Sequence, residues 1–307
     1  MKITEILNES KKPFPSIEIV PPLNGMSKDE LLGTIRSFME FAPKYINVTC
    51  HRDEYAFRKE ANGTYSRHLV RNRISEVAVC AAIISEFDIN VVPHVICGGA
   101  SAEELESDLY SYRFLGISNI MSLRGDSVTG EKRFVPHPEG YAHANELVEA
   151  IRRFDEQTGE SFCIGVGGYP EKHFECANIE TDIENLKRKV DAGADYIITQ
   201  MFFDNNKYFD FVAQCRSLGI QVPIVPGIKP ITRRSQLALL PKCFHCDLPE
   251  ALTEELLHCQ SDEEIRAVGI EWCIDQCKEL KKAGVPNIHF YTNGQWPDIY
   301  EVAKAIY

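Results

Sequence analysis

A regular alternation of short apolar runs with longer helical patterns limits what this chain can fold into more than any other feature of the sequence. Eight such strand-and-helix pairs fit into 307 residues. That number is typical of a closed barrel in which a helix follows each parallel strand, whereas a doubly wound open sheet rarely needs eight regular repeats. We therefore predict an α/β fold, a single (β/α)8 TIM barrel, with residues 1–307 as one domain.

The elements are predicted from β-branched apolar runs for strands and from apolar residues at helical spacing for helices. The predicted strands cover residues 16–20, 45–50, 90–97, 120–123, 162–166, 196–203, 223–226 and 287–292. The predicted helices cover residues 27–41, 67–87, 101–115, 143–156, 181–192, 206–218 and 298–307, and a helical stretch with an insertion covers residues 232–283. Ser27 with Glu30 and Ser101 with Glu104 have the spacing of a capping box, Thr181 is the expected N-cap of the fifth helix, and a charged loop is expected over 51–65.

Composition restricts the partners and the compartment. A formal net charge of −12 argues against a nucleic acid or an anionic membrane surface as partner. We see no signal peptide and no apolar run long enough to cross a bilayer, so we expect a cytoplasmic protein. Eleven cysteines without a secretory signal indicate reduced thiols.

One carboxylate interrupts the first predicted strand. Glu18 stands among Ile17, Ile19 and Val20, and two prolines end the strand. Burial without partners raises the pKa of a carboxyl group, and a carboxylic acid that stays protonated near neutral pH can donate a proton to a substrate. The alternative is that Glu18 forms an ion pair with a buried lysine or arginine.

Polar residues stand at the end of every predicted strand, where a barrel of this class carries its active site. Each one alone could simply begin a loop, but together they predict a pocket at one mouth of the barrel. This polar ring consists of Glu18, Thr49, His94, Asp126, Tyr169, Gln200, Lys229 and Tyr291.

Several other sites are disfavoured. No phosphate-binding P-loop is present, and the glycine-rich run at 165–168 continues to Tyr169-Pro170 instead of completing a dinucleotide-binding fingerprint. The fifth helix offers Asn185, Arg188 and Lys189, which could equally form a solvated face. The cysteines and histidines of 243–259 resemble a zinc cluster, but apolar residues interleave with them, so we favour packing and expect no metal.

The strand-end motifs resemble those of the methylenetetrahydrofolate reductases over nearly the whole chain. The first, SIEIVPP at residues 16–22, is similar to the family's S-F-E-F-F-P-P strand. The other matching motifs lie at residues 123–126, 165–173, 186–195, 198–204, 225–228 and 289–292. The resemblance is to the short bacterial form, which is the catalytic barrel alone.

The resemblance implies a barrel that holds noncovalent FAD at its mouth. It implies reduction of 5,10-methylenetetrahydrofolate to 5-methyltetrahydrofolate by NADH or NADPH in a ping-pong sequence, which supplies methyl groups for methionine synthesis. It also implies a homo-oligomer. Glu18 matches the general acid and Asp126 the aspartate beside the flavin, while Gln200, Tyr291 and Leu240 match substrate-binding positions. The implied flavin-binding residues are Thr49, His94, Arg124, Gly125, Asp126, Tyr169, His173, Asp182, Asn185, Arg188 and Lys189.

The match has two departures and leaves three rival interpretations. Leu240 stands at a position where the family can carry a substrate-stacking phenylalanine. Gln295 stands where the family has an arginine that helps to bind folate or nicotinamide. A Schiff-base aldolase could use Lys229 at the end of the seventh strand as its nucleophile. A non-catalytic flavoprotein and a flavin barrel similar to proline dehydrogenase are the other two.

Overall fold

The protein is described by a computed structural model that covers residues 1–51, 54–126, 134–294 and 296–307. Within these ranges the helices are α1 Ile3–Glu9, α2 Lys28–Phe38, α3 Glu76–Glu86, α4 Ala102–Phe114, α5 Ala144–Thr158, α6 Ile179–Asp191, α7 Asn205–Ser217, α8 Gln236–Phe244, α9 Glu250–His258, α10 Asp262–Lys282 and α11 Trp296–Ile306. The strands are β1 Phe14–Ile19, β2 Tyr45–Val48, β3 Glu54–Lys59, β4 Tyr65–Val70, β5 Asn90–Ile96, β6 Asn119–Leu123, β7 Cys163–Gly168, β8 Tyr196–Thr199, β9 Ile224–Val225, β10 Gly227–Ile228 and β11 Asn287–Tyr291.

A parallel sheet closes into the predicted barrel. Its order is β10-β11-β1-β2-β5-β6-β7-β8-β9, so its two ends, β9 and β10, are consecutive segments of one chain stretch. Pro226 separates them because proline has no N–H for a sheet ladder. The Pro226 carbonyl still accepts a hydrogen bond from the His289 N–H at 3.0 Å. Because β9 and β10 together occupy one strand position, the nine segments form the eight strand positions of an α/β barrel. This confirms the predicted fold class.

Side chains alternate between the outer helices and the barrel interior along each strand. In β1, Ile17 and Ile19 pack in the large cluster beneath the helices, whereas Phe14 belongs to an inner cluster with Tyr45. Helix α1 packs its buried Ile3, Ile6 and Leu7 into that same inner cluster. The amino-terminal helix therefore closes one end of the barrel, and the functional mouth is at the other.

Two sequence-based assignments were wrong. Residues predicted as a loop and as the start of a helix form an antiparallel hairpin, β3 with β4, and α3 begins only after Ser75, whose hydroxyl accepts a hydrogen bond from the Ala78 N–H. Helix α6 is capped by Asn178 instead of Thr181. The Asn178 Oδ1 accepts a hydrogen bond from the Thr181 N–H at 2.8 Å, so Thr181 already lies in the first turn.

Helices α8, α9 and α10 follow β10 and build an apolar cluster of their own. This insertion cluster contains Leu240, Cys246, Leu256 and Cys259, packed against Met201 and Phe203 from the end of β8. Cys246 and Cys259 are buried in the cluster, whereas Cys243 is exposed. Among the described residues, no group of three histidine, cysteine or acidic side chains is placed to hold a metal ion.

Within the described ranges, no helix combines the length and the apolar character needed to cross a membrane.

Candidate active site

Glu18 points into the barrel near its mouth. It shares a face of β1 with Ser16, whose hydroxyl contacts Asn287 and His289 of β11 in the interior. The register places Glu18 level with Tyr291 of β11 on one side and with Asn47 of β2 on the other. The carboxyl group is therefore held on a rigid strand, and 13% of its side chain is exposed.

Burial dominates the ionisation of Glu18. It raises the pKa of the Glu18 carboxyl group to about 8, and the charge of Lys229 opposes this rise. The neighbouring His94 lies with its Nε2 atom 3.7 Å from a Glu18 carboxylate oxygen. Burial, with a smaller contribution from the charge of His51, lowers the pKa of His94 to about 3, so its ring is neutral near pH 7. Glu18 is therefore mainly a neutral carboxylic acid at that pH.

Two unsatisfied polar atoms lie on β2 and directly after it. Asn47 contacts the His94 Nε2 through its Nδ2 at 3.2 Å, but its buried Oδ1 has no hydrogen-bond partner among the described residues. The same holds for the buried Oγ1 of Thr49. Buried polar atoms normally have partners, so both are available to a bound molecule.

Tyr291 and Lys229 complete this part of the mouth. The Tyr291 hydroxyl donates a hydrogen bond to the Thr199 carbonyl at 2.7 Å, crossing the backbone of Gly227. Lys229 follows β10 directly and is only 2% exposed. Burial lowers the pKa of its ammonium group to about 8, while Asp298, Cys273 and Glu18 oppose the decrease.

A second group of predicted residues forms a cationic cluster at the ends of β6 and β7. The Lys189 Nζ donates a hydrogen bond to the Gly167 carbonyl at 2.7 Å and lies 5.9 Å from the centre of the Tyr169 ring. Burial lowers the pKa of Lys189 to about 8, Asp182 raises it, and Arg124 lowers it further. Arg124 itself pairs with Glu175.

The loop after β7 is fastened to helix α6 beside this cluster. Asp182 accepts a hydrogen bond from the His173 N–H at 3.0 Å, and the His173 ring meets the Tyr169 ring edge-on at 4.7 Å. Asn185 contacts the Cys176 sulfur and accepts a hydrogen bond from Arg188 at 3.1 Å. Asp182 therefore shapes the loop, while Arg188 is exposed on the helix.

Gly125 and Asp126 follow β6 at the rim. Gly125 has a φ of 84°, and a Cβ atom there would lie 3.3 Å from the Ile96 side chain, so a residue without a side chain suits this turn. Asp126 is exposed. Its charge contributes to raising the pKa of the Tyr169 phenol to about 12, after burial and Asp182, which places both carboxylates near the tyrosine.

Gln200 and Leu240 lie on the side of the insertion. The Gln200 side-chain oxygen accepts a hydrogen bond from the Met201 N–H at 2.9 Å, which turns the amide toward its own backbone. Leu240 is 1% exposed inside the insertion cluster, which Tyr291 contacts from the barrel. Gln295 lies outside the described residues.

Sequence reasoning missed two residues that shape this mouth. Asn47 shares a face of β2 with Tyr45 and Thr49, and a polar residue inside a fully buried strand is the signal that could have revealed it. Gly227 leaves the space through which Tyr291 reaches Thr199, and no local pattern marks it.

The closed parallel barrel, with a neutral carboxylic acid inside its mouth and cationic side chains beside it, defines an α/β-barrel protein whose site combines an acid with anion-binding groups. Residues 2–306 match the family model described as methylenetetrahydrofolate reductase. The chain therefore belongs to the methylenetetrahydrofolate reductase family.

Individual relatives agree with this assignment. The chain is 32% identical to 5,10-methylenetetrahydrofolate reductase of Escherichia coli, over 95% of this chain and 90% of that protein. It is 30% identical to methylenetetrahydrofolate reductase (NADH) 1 of Arabidopsis thaliana, over 95% of this chain but only 48% of that protein. The chain thus spans about half the length of the plant relative.

A solved structure shares the fold. It is an uncharacterized protein from Clostridium thermocellum that binds two copies of 5-methyl-5,6,7,8-tetrahydrofolic acid. The TM-score is 0.62 with 13% identity, and the match covers 100% of this chain and 98% of that one. At this identity the likeness establishes the fold alone.

Proposed function

We propose that residues 1–307 act as one catalytic domain that reduces 5,10-methylenetetrahydrofolate to 5-methyltetrahydrofolate with NADH or NADPH. Membership of the family supports the reaction class. The observation that carries the proposal is Glu18, which burial keeps protonated near neutral pH on the interior face of β1. An acid in this place suits a reduction in which the substrate needs a proton before it accepts a hydride.

Glu18 is the proton donor in this scheme. The five-membered ring of the folate must open before reduction, and opening requires a proton on the departing nitrogen. The Glu18 O–H bond breaks as the N–H bond forms, which leaves a carboxylate on β1. The C–N bond to the protonated nitrogen then breaks, its electron pair stays on that nitrogen, and the other ring nitrogen forms the C=N bond of an iminium cation. Asp126 at the rim would favour that cation through Coulomb attraction.

The residues at the mouth fit noncovalent FAD. The buried Thr49 Oγ1 has no hydrogen-bond partner in the described part of the chain, and the cationic cluster of Arg124 and Lys189 can meet phosphate oxygens. When bound, FAD would accept a hydride from the nicotinamide and pass one to the folate in turn. The residues that would hold it are Thr49, His94, Arg124, Gly125, Asp126, Tyr169, His173, Asp182, Asn185, Arg188 and Lys189. Gln200, Tyr291 and Leu240 remain the proposed substrate contacts.

The proposed function is tested with purified protein. Denaturation should release FAD, and the native protein should form 5-methyltetrahydrofolate from 5,10-methylenetetrahydrofolate with NADH or NADPH. If the supernatant contains FMN, or no flavin, the assignment of FAD as the cofactor is wrong. Bound FAD without turnover of the folate would instead favour the non-catalytic flavoprotein.

Lys189→Ala should weaken FAD retention roughly tenfold to a hundredfold, because losing one charge-assisted bond costs about 1.5–3 kcal/mol. The dissociation constant is measured by flavin fluorescence on dilution. Lys187→Ala is the matched control, since Lys187 lies on the same helix and pairs with Asp191. Equal flavin affinity in the two variants would exclude Lys189 from the site.

The aldolase alternative stays open because Lys229 is buried and its pKa is lowered to about 8, as a Schiff-base lysine requires. Borohydride treatment in the presence of an aldehyde or ketone substrate would attach that substrate to Lys229. We expect no such adduct with the folate.

Three further expectations accompany the proposal. All eleven cysteines are free thiols in the structure, which is consistent with a reducing cytoplasm. The homo-oligomer and the link to methionine synthesis rest on the family resemblance. Size-exclusion chromatography with light scattering would measure the number of subunits.

A further inference from the structure

We propose that Lys229 is a positioning residue that sets the acid strength of Glu18 by stabilising its carboxylate across the barrel mouth. The effect on catalysis rests on the proposed function, whereas the interaction between the two side chains does not. Lys229 has no part in the scheme derived so far, although a buried lysine is costly and needs compensation.

The strand register brings the two residues to one level of the barrel. Ile228 of β10 is paired with Phe290 of β11, so Lys229 follows at the level of Tyr291. Tyr291 is paired in turn with Glu18 of β1. Glu18 and Lys229 therefore flank the same residue from two neighbouring strands, and both are largely buried.

Other titratable and charged groups face Lys229 besides Glu18. Asp298 of α11 faces it, but that carboxylate accepts a hydrogen bond from the Arg266 Nε at 2.6 Å. The Cys273 thiol of α10 also faces it, while Arg233 adds a repulsive charge from the exposed rim. Asp298 is thus shared between two cations, and Glu18 is a second carboxyl group that the Lys229 charge reaches.

The groups around Glu18 do not substitute for Lys229. His94 is neutral near pH 7, because burial lowers its pKa to about 3. Burial, followed by the charge of Glu18, raises the pKa of the Tyr291 phenol well above its usual value, so the ring carries no charge. Asn47 is an amide. Burial raises the pKa of Glu18 to about 8, and the Lys229 ammonium group opposes that rise.

The consequence for the reaction is a stronger acid. When Glu18 gives its proton to the departing nitrogen, a carboxylate forms in a site that disfavours negative charge. The Lys229 ammonium group stabilises that carboxylate and not the neutral acid. It therefore assists proton transfer without touching the substrate, and an uncharged side chain of similar length would not.

The interaction is measured by the titration of Glu18 itself. In protein labelled with ¹³C-glutamate, the Glu18 carboxyl signal is assigned by its loss in Glu18→Gln. Lys229→Met should raise its midpoint by about one pH unit or more, as expected for removal of a nearby opposite charge. Lys229→Arg should restore it. Arg233→Met removes a cation from the exposed rim. It should change the titration midpoint of Glu18 by no more than about a fifth of the shift expected in Lys229→Met.

The kinetic measurement is the rate of the folate half-reaction as a function of pH, and the informative part is its alkaline limb, where the rate falls as pH rises. In Lys229→Met this limb should move to higher pH by the same amount, with a lower rate on the plateau. An unchanged Glu18 midpoint in Lys229→Met would overturn the inference, even if the protein reduces folate. A shifted midpoint in a protein that reduces no folate would uphold the interaction and reject the proposed function. Should Lys229→Met not fold, Lys229→Gln tests the same loss of charge.

Discussion

Glu18→Gln should leave reduction of the bound flavin by NADH near the parent rate and slow its reoxidation by 5,10-methylenetetrahydrofolate about 10²–10⁴-fold. Hydride transfer from the nicotinamide needs no proton from the protein, whereas opening of the folate ring does. Glutamine keeps the shape of glutamate on the interior face of β1 but carries no carboxyl proton. Folate binding should therefore change far less than the rate.

Rapid-mixing spectra of the two half-reactions measure this separation directly. Equal slowing of both halves would make Glu18 a residue that orients the cofactor. If neither half slows, another group is the acid. Asp126→Asn provides a comparison, because Asp126 is an exposed carboxylate at the rim and lacks the burial that keeps Glu18 protonated.

The same substitution has a second readout in stability. The folded protein binds a proton on Glu18 up to about pH 8, whereas the unfolded chain releases it near the ordinary glutamate pKa of 4.5. The folded state therefore binds more protons between these limits, and stability falls as pH rises through them. Glu18→Gln should remove this contribution to the slope, as measured by urea unfolding at several pH values.

The sequence predicted those features that are encoded locally. The spacing of Ser27 and Glu30 predicted a capping box, and the Ser27 side chain does accept a hydrogen bond from the Glu30 N–H. The eight strand positions followed from apolar runs, and the rule that barrel sites lie at strand ends then brought Glu18, His94 and Tyr291 into one list. The structure places these three residues together at the mouth.

The features that the sequence did not predict depend on contacts between distant segments. Hairpin β3–β4 was missed because its pairing, such as Phe57 with Arg67, joins a segment that reads as a charged loop to one that reads as the start of a helix. Thr181 was predicted as the cap because it is a good cap residue by type, but Asn178 caps α6 because the loop after β7 ends there. Burial and the charge of Lys229 have opposite effects on the pKa of Glu18. This could not be predicted from the sequence, because the two residues are brought to one level only by the register of three strands.

Gly227→Ala should destabilise the protein by roughly 3 kcal/mol or more, which is a factor above a hundred in the unfolding equilibrium. An added Cβ atom would lie 2.2 Å from the Thr199 carbonyl oxygen and 2.5 Å from the Tyr291 ring. Neither neighbour can move freely, since Tyr291 donates a hydrogen bond to that same carbonyl and β10 pairs with β11 to close the barrel. Urea unfolding followed by circular dichroism measures the change.

Gly33→Ala is the matched control, because among the described residues no atom outside its own stretch of α2 lies within 4 Å of a Cβ atom at that position. There alanine should stabilise by about 0.5–1 kcal/mol through its helix propensity. In a Tyr291→Ala background, Gly227→Ala should cost less stability than in the parent but still destabilise, since the contact with the Thr199 carbonyl persists. Equal stability of Gly227→Ala and the parent would mean that Tyr291 does not cross the backbone at Gly227. Tyr291 would then not lie between Glu18 and Lys229 as the strand register places it.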